Sequence, residues 1–329
     1  MWRTFMKAIY VLSPFTNPYQ NLAYEDWMMD QIQDDEILFY LWQNQHTVVI
    51  GKNQNAYKEC KVSELENDGG KLARRSSGGG AVYHDLGNLN FTFIAPHHQY
   101  DQHKQLSVIL LALNKLGIEA KFAGRNDIEV DGCKVSGNAF AKKRNNSLHH
   151  GTLLVDVKME DLAKYLNVSK AKMQSKGVDS VRKRVANLKQ FNPELTIPLL
   201  IETLKVSFEE VYHIKLNERI MDSLQYQDRI DKYRSKQWRL NPIEDYQAQV
   251  EYKFPWGEIQ AFFQVNSGKI ISSRIYSDAM NPDFIEHLSK SWKDIPYDLI
   301  SMRNAVGNKE NLEMVEDILS ACFHTEEQA

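Results

Sequence analysis

The chain has 329 residues with 40 Lys and Arg against 43 Asp and Glu, a net charge of −3, so it presents no basic footprint for nucleic acid. Apolar residues make up 43% and charged residues 25%, the balance of a globular chain long enough for one large or two ordinary domains. No run of about 18 apolar residues suggests a membrane span, the start lacks a signal-peptide hydrophobic region, and Cys60, Cys133 and Cys322 are too few for a disulfide framework. The expectation is a cytoplasmic protein with reduced thiols and neither nucleic acid nor membrane as partner.

In chain order, Ile37 to Ile50 reads as two strands, LFYLW and TVVIG, joined by a polar turn at Gln43 to Gln45. After the segment Arg74 to Asn88, Leu89, Phe91 and Phe93 alternate with Asn90, Thr92 and Ile94, the two-residue period of a strand. Leu106, Ile109, Leu110 and Leu113 predict an amphipathic helix over Gln105 to Leu116. Asp131-Gly132 between two β-prone runs is a two-residue hairpin turn. Thr152 to Val157 reads as a strand, and Leu200, Leu204, Phe208 and Val211 mark a helix from near Thr196, with Pro198 tolerated in its first turn. Asp228 to Tyr246 is charged and loses apolar periodicity, which makes it the linker candidate. Phe254 to Tyr276 then reads as a hairpin turning at Asn266-Ser267-Gly268, followed by a helix from about Pro282 to Trp292.

The segment Arg74 to Asn88, RRSSGGGAVYHDLGN, carries the chemistry. Glycines let the backbone approach a ligand and adopt positive φ, and their N–H groups can line an anion-binding concavity. Arginine adds a planar fork suited to phosphate or carboxylate. A purely structural turn explains a bare GGG but not two arginines, two serines and a His-Asp beside it. The pattern is neither GxGxxG before a helix nor GxxxxGK[ST], so neither a dinucleotide fold nor a P-loop is supported.

Lys134 lies two residues beyond the hairpin turn among small polar neighbours. A lone strand lysine is usually a solvated surface group; beside the glycine loop it becomes the leading candidate for charge stabilisation. Alternation sends Cys133 and Val135 to one face and Lys134 and Ser136 to the other, so Cys133 is read as structural with the other two cysteines. His149 and His150, adjacent on a strand, should point to opposite faces, and nothing around them has metal-motif spacing. Lys170 to Lys189 is locally basic; a solvated helical face and a loop that closes over phosphate fit it equally well.

Taken together, RRSSGGGAVYHDLGNLNFTF, GRNDI, GCKVSGNAF, HHGTLLV and KGVDSVRKRVANL, with LWQNQHTVVIGKNQNAYKEC upstream, resemble in order and spacing the motifs of the lipoate–protein ligase A family. The resemblance implies an α+β fold: a large catalytic domain of the biotin/lipoyl ligase type, with mixed sheets flanked by helices, over 1–240, and a small α+β accessory domain over 247–329. It implies ATP with Mg²⁺ as co-substrate and ion, lipoate as substrate, and no metal held by the protein alone. Lipoyl-adenylate would form first, and its lipoyl group would pass to a lysine of a lipoyl domain of 2-oxoacid dehydrogenase acyltransferase subunits or of the glycine-cleavage H protein. A monomer is expected. The implied ATP and adenylate contacts are Arg75, Gly80, Ala81, Val82, Tyr83 and Lys134, with Lys134 catalytic. The implied lipoate set comprises Arg74, Ser77, Gly78, Gly79, Lys134, His150 and Gly151. The adenylate-binding loop is matched by Gly177, Val178, Asp179, Ser180, Val181 and Arg184. Two other readings stand beside this one, an ATP-independent lipoyl or octanoyl transferase and a lipoate-binding protein without turnover.

Overall fold

The computed structural model describes residues 7–124, 126–167, 185–241, 246, 248–306 and 311–323. The strands are β1 (Lys7–Leu12), β2 (Glu36–Trp42), β3 (Thr47–Ile50), β4 (Lys71–Arg74), β5 (Val82–His84), β6 (Asn88–Pro96), β7 (Lys121–Ala123), β8 (Asp127–Val130), β9 (Cys133–Lys143), β10 (Asn146–Leu154), β11 (Leu216–Glu218), β12 (Ala248–Phe254), β13 (Gly257–Asn266) and β14 (Lys269–Ser277). Eight of them form a mixed sheet in the order β11-β1-β2-β6-β10-β9-β8-β7, and β4-β3-β5 form a second, small sheet. The fold is α+β.

Helices cover both faces of the large sheet. Gln102–Lys115 and Ile197–Tyr212 bury Leu106, Ile109, Leu204 and Phe208 against Phe39, Phe91 and Phe93 on one side. Pro18–Gln31 packs Leu22, Tyr24 and Met28 against Leu38, Tyr40 and Ile94 on the other. Strands buried on both faces lose the apolar-polar alternation that marks a half-exposed strand. That explains why β10 begins at Asn146, six residues before the expected start at Thr152. Its leading stretch NSLHHG is polar, and the partners of that stretch lie inside the protein.

Local signals placed three elements well. Thr196 caps Ile197–Tyr212, with proline in its first turn. Asp131 and Gly132 take φ of 49° and 76° between β8 and β9, the doubly positive turn that such a pair favours. Ser267 and Gly268, at 50° and 73°, do the same between β13 and β14.

LFYLW and TVVIG are strands, as the sequence reading has them; β2 joins the large sheet and β3 the small one. Other expectations need correction. The linker candidate contains two helices, Gln227–Arg234 and Lys236–Leu240; their buried residues, Ile230, Tyr233 and the guanidinium-bearing Arg239, are too few to show as a stripe. The tail hairpin gains a third strand, β12, and two further helices, Leu299–Ala305 and Leu312–Phe323, close its core around Phe263, Leu288, Trp292 and Ile318. Lys52 fastens the tail to the large domain through Asp283 and Glu286, each at 2.8 Å.

Candidate active site

The register of the large sheet lays out a row of residues beneath a cavity. Trp42 pairs with Asn90 and Asn90 with Thr152. The Gly137 N–H donates to Thr152 Oγ1 at 3.1 Å, and Gly137 pairs with Asp127. At about 4.8 Å per strand, Trp42 and Gly137 stand roughly 14 Å apart. The cavity above this row holds about 610 Å³, part of it open to solvent. Its roof comes from the small sheet and the glycine loop: Val49, Gly79, Gly80, Val82 and His84.

Lys134 stands at the Gly137 end. Its Nζ lies 2.7 Å from Asp127 Oδ1, and a Cβ on Gly137 would come within 3.1 Å of that Nζ. Hairpin geometry sets the direction. Glu129 pairs with Lys134 but Ile128 with Ser136, so one residue of β9 bulges. Cys133 and Val135 go to the core, as alternation predicts, and Lys134 goes to the cavity. The main chain of Lys134 is also an anchor: Ala186 N–H donates to its carbonyl at 3.0 Å, and Val185 bridges to it in parallel.

The two arginines part company. Arg75 faces the cavity but spends its fork on the loop itself, donating to Gly78 O at 2.6 Å and Gly80 O at 2.8 Å, with Nε 3.0 Å from Ser77 Oγ. Burial pulls its pKa down to about 10, against the pull of the Glu25 carboxylate. Arg74 points the other way. Among the described residues, every hydrogen bond its guanidinium makes, from 2.6 to 3.3 Å, goes to main-chain carbonyls of Gly51, Lys52, Gln54, Trp238, Arg239 and Leu240.

A buried polar chain runs along the opposite wall. Ser77 Oγ lies 2.7 Å from His150 Nε2, and His150 Nδ1 lies 3.0 Å from Glu25 Oε1. Thr92 Oγ1 also donates to Glu25 and in turn accepts from Trp42 Nε1 at 2.9 Å. The Ser–His–Glu order is that of a hydrolytic triad. Ser77 does not line the cavity and its Oγ already accepts from Arg75, so here it works as a strut. His149 points to the other face, as alternation requires. Its Nε2 is 2.9 Å from Asn138 Oδ1, and Asn138 Nδ2 donates to Asn126 O at 3.0 Å. His149 thereby steadies two amides that line the cavity. Burial lowers its pKa to about 3.

The family model of the lipoyl protein ligase A/B catalytic domain matches residues 17–209, and that of the bacterial lipoate protein ligase C-terminus matches residues 244–321. A lipoate-protein ligase A of Psychrobacter cryohalolentis is 41% identical over 304 residues, 89% of this chain and 90% of that one. The chain belongs to the lipoate–protein ligase A family. A second member, from Blochmanniella floridana, is 36% identical over 88% of both chains. Among solved structures, P. falciparum LipL1 in complex with lipoate superposes with a TM-score of 0.84 at 29% identity, covering 95% of this chain and 98% of the other. A lipoate-protein ligase A bound with ATP superposes at 0.63 and 26% identity, over 73% of this chain and all of that one.

Of the residues that the family motifs single out, Arg75, Gly79, Gly80, Ala81, Val82, Lys134, His150 and Gly151 line one cavity. Arg74, Ser77, Gly78 and Tyr83 do not. Tyr83 follows from strand alternation: Val82 and His84 face inward, so Tyr83 turns out to bond Asp161 at 3.2 Å and pack on Tyr165. Gly78 sits against the tail, where a Cβ would meet Ala279 O at 2.4 Å. Gly177, Val178, Asp179, Ser180, Val181 and Arg184 lie outside the described residues. Sequence reading missed Trp42, His84, Asn126 and Asn138. Only His84 carried a signal, since it falls in phase with Val82. Burial pushes the thiols of Cys60 and Cys322 up to about 12, away from the thiolate form that a nucleophile needs.

Proposed function

We propose that this chain is an ATP-dependent lipoate–protein ligase that first forms lipoyl-adenylate and then acylates a lysine of an acceptor lipoyl domain. The observation that carries the reading is a cavity with a lysine ammonium at one end and an aromatic wall about 14 Å away across the sheet. An eight-carbon acyl chain, extended at ~1.25 Å per bond, measures roughly 9 Å. With its carboxylate at Lys134 it reaches towards Trp42.

Adenylation sets an anionic carboxylate oxygen against an anionic α-phosphate; the new C(O)–O–P link forms as the bond to pyrophosphate breaks. Lys134 offsets the repulsion and stabilises charge that builds up on phosphorus. The 2.7 Å ion pair with Asp127 holds the ammonium in place before substrate arrives. The N–H groups of the glycine loop, held in shape by Arg75, face the nucleotide. Mg²⁺ bound to triphosphate takes one or two protein carboxylates; Asp127 beside Lys134 would hold it, and the ion would supply positive charge to the departing pyrophosphate. In the second half-reaction the acceptor amine attacks the mixed anhydride and AMP leaves, with Lys134 steadying the carbonyl oxygen. Gly177 to Arg184 complete the adenylate site in this reading. The catalytic unit spans 1–240 and the accessory unit 247–329, a division supported by their separate apolar clusters. The setting is cytoplasmic and the protein a monomer; among the described residues no helix is long and apolar enough to cross a membrane. Acceptors are lipoyl domains of 2-oxoacid dehydrogenase acyltransferase subunits and the glycine-cleavage H protein; one structural relative is described as a bi-partite lipoate protein ligase with its E2 lipoyl domain.

The test is lipoate-dependent ATP–pyrophosphate exchange without acceptor, comparing wild type with Lys134→Ala. Wild type exchanges, and the variant falls by about 10²–10³ while keeping its fold. No exchange in wild type refutes the ligase reading and favours transfer from a carrier.

A further inference from the structure

Lys134 owes its direction to one surplus residue. Lys134 and Gly137 both line the cavity, although a regular strand sends residues at that odd spacing to opposite faces. The bulge between them makes up the difference. Asp127 to Val130 runs opposite Cys133 to Gly137, so β9 carries one residue more than β8 over this stretch. One end of the stretch is fixed by the turn at Asp131-Gly132. The other end is closed by two asparagines. The Asn138 main-chain N–H donates to Asn126 O at 2.7 Å, Asn138 Nδ2 donates to the same carbonyl at 3.0 Å, and Asn126 Nδ2 donates back to Asn138 O at 3.1 Å. The extra residue is trapped between the turn and this clip. A bulge that shifts along β9 turns Lys134 to the other face of the sheet.

The clip depends on which way the Asn138 amide points, and His149 sets that. Asn138 Nδ2 donates to a carbonyl, so Asn138 Oδ1 must accept. His149 Nε2 lies 2.9 Å from this oxygen and therefore carries the ring proton. Burial lowers the pKa of His149 to about 3, so the ring is neutral and its Nδ1 is an acceptor. Gln105 Oε1 lies 3.0 Å from Nδ1, while Gln105 Nε2 is buried with no hydrogen-bond partner among the described residues. A half-turn of that amide brings its N–H to Nδ1. Donation then runs one way, from Gln105 to His149 to Asn138 to Asn126 O, with every donor meeting an acceptor. We infer that His149 is a positioning residue for adenylation, which keeps the Lys134 ammonium in the cavity by holding the Asn138 amide in the orientation that closes the clip. The inference rests on the ligase reading above, which gives Lys134 its charge-stabilising part. His149 itself does not line the cavity; it lies among the rings of Phe91, Phe93 and Phe140. Without its N–H the Asn138 amide is free to reverse, and an oxygen then faces the Asn126 carbonyl.

The experiment measures kcat and lipoate KM in ATP–pyrophosphate exchange with the full chain, for wild type, His149→Leu, His149→Gln, Asn138→Ala and the double variant His149→Leu/Asn138→Ala. Leucine packs among the phenylalanine rings but has no donor; glutamine sets an amide N–H near Asn138 Oδ1. His149→Leu should lower kcat by about ten- to a hundredfold, the cost of a misplaced catalytic group, and leave the lipoate KM within about twofold. His149→Gln should recover most of the loss. Asn138→Ala should show the same fall, and adding His149→Leu to it should cost little more, because the histidine acts through that amide. Nitrogen NMR of the histidine-labelled wild type should place the proton of the His149 ring on Nε2, the signal being identified by its loss in His149→Gln. A proton on Nδ1, an unchanged kcat in His149→Leu, a loss confined to KM, or additive falls in the double variant overturns the assignment. No exchange in wild type overturns the ligase reading and this inference with it; exchange in wild type that His149→Leu leaves intact overturns only the role of His149.

Discussion

Acidification should strip stability from this protein early, because two buried histidines refuse the proton that the unfolded chain accepts. His84 and His149 have their pKa values held near 3 by burial, against about 6.5 when unfolded. Between those values the unfolded state binds more protons than the folded one, so stability rises with pH and is lost as pH falls. Two such groups give a slope of up to ~2.7 kcal/mol per pH unit, or about 5 kcal/mol between pH 6 and 4. That is comparable to the whole stability of an ordinary domain. Urea unfolding followed by far-ultraviolet circular dichroism at half-unit steps from pH 7 to 4 measures the slope. His149→Gln removes one titrating ring and keeps an N–H near Asn138 Oδ1, so it should flatten the profile by about 2.5 kcal/mol over pH 6 to 4, whatever its stability at pH 7. Parallel profiles for wild type and His149→Gln would refute the reasoning.

Arg74→Lys should lower stability by about 3–5 kcal/mol, since a lysine cannot serve carbonyls on both Gly51–Gln54 and Trp238–Leu240; thermal unfolding checks it, and an unchanged midpoint means those bonds carry little. Gly151→Ala would bring a Cβ to 2.5 Å from Phe91 Cζ and 2.8 Å from Asn138 Oδ1, so a cost of about 1–3 kcal/mol and a raised lipoate KM are expected. A KM equal to wild type would show that Asn138 does not shape the cavity. Gly78→Ala forces the loop away from Ala279 O; hydrogen exchange of the amides at 279–281 should accelerate, and identical exchange in both proteins would place the tail contact elsewhere.

Much of the site was readable wherever its cause was local. The turn at Asp131-Gly132 announces itself through residues that tolerate positive φ, and Lys134 follows two positions later. His149 and His150 diverge because a strand alternates. The glycine loop stands out because no packing need explains it. What stayed hidden depends on partners distant in sequence. Glu25 meets His150 across 125 positions, on a helix that buries Asn21, Glu25 and Asp26 together and so shows no apolar stripe. Asn138 looks like any polar strand residue until His149 and Asn126 close on it. Arg74 and Arg75 are indistinguishable as letters; only the end of β4 decides which guanidinium faces the cavity.

Those neighbouring arginines make the end of β4 a common mount for two parts of the protein. One guanidinium grips the helix Lys236–Leu240, the last described helix before the accessory domain; the next grips the carbonyls of the glycine loop. A single peptide bond separates the two grips. A tilt of that helix therefore pulls on the same short piece of backbone that carries the glycine loop, through two guanidiniums that are themselves buried. Helix and loop are thus joined at two neighbouring residues, much as one bracket holds two beams bolted to it.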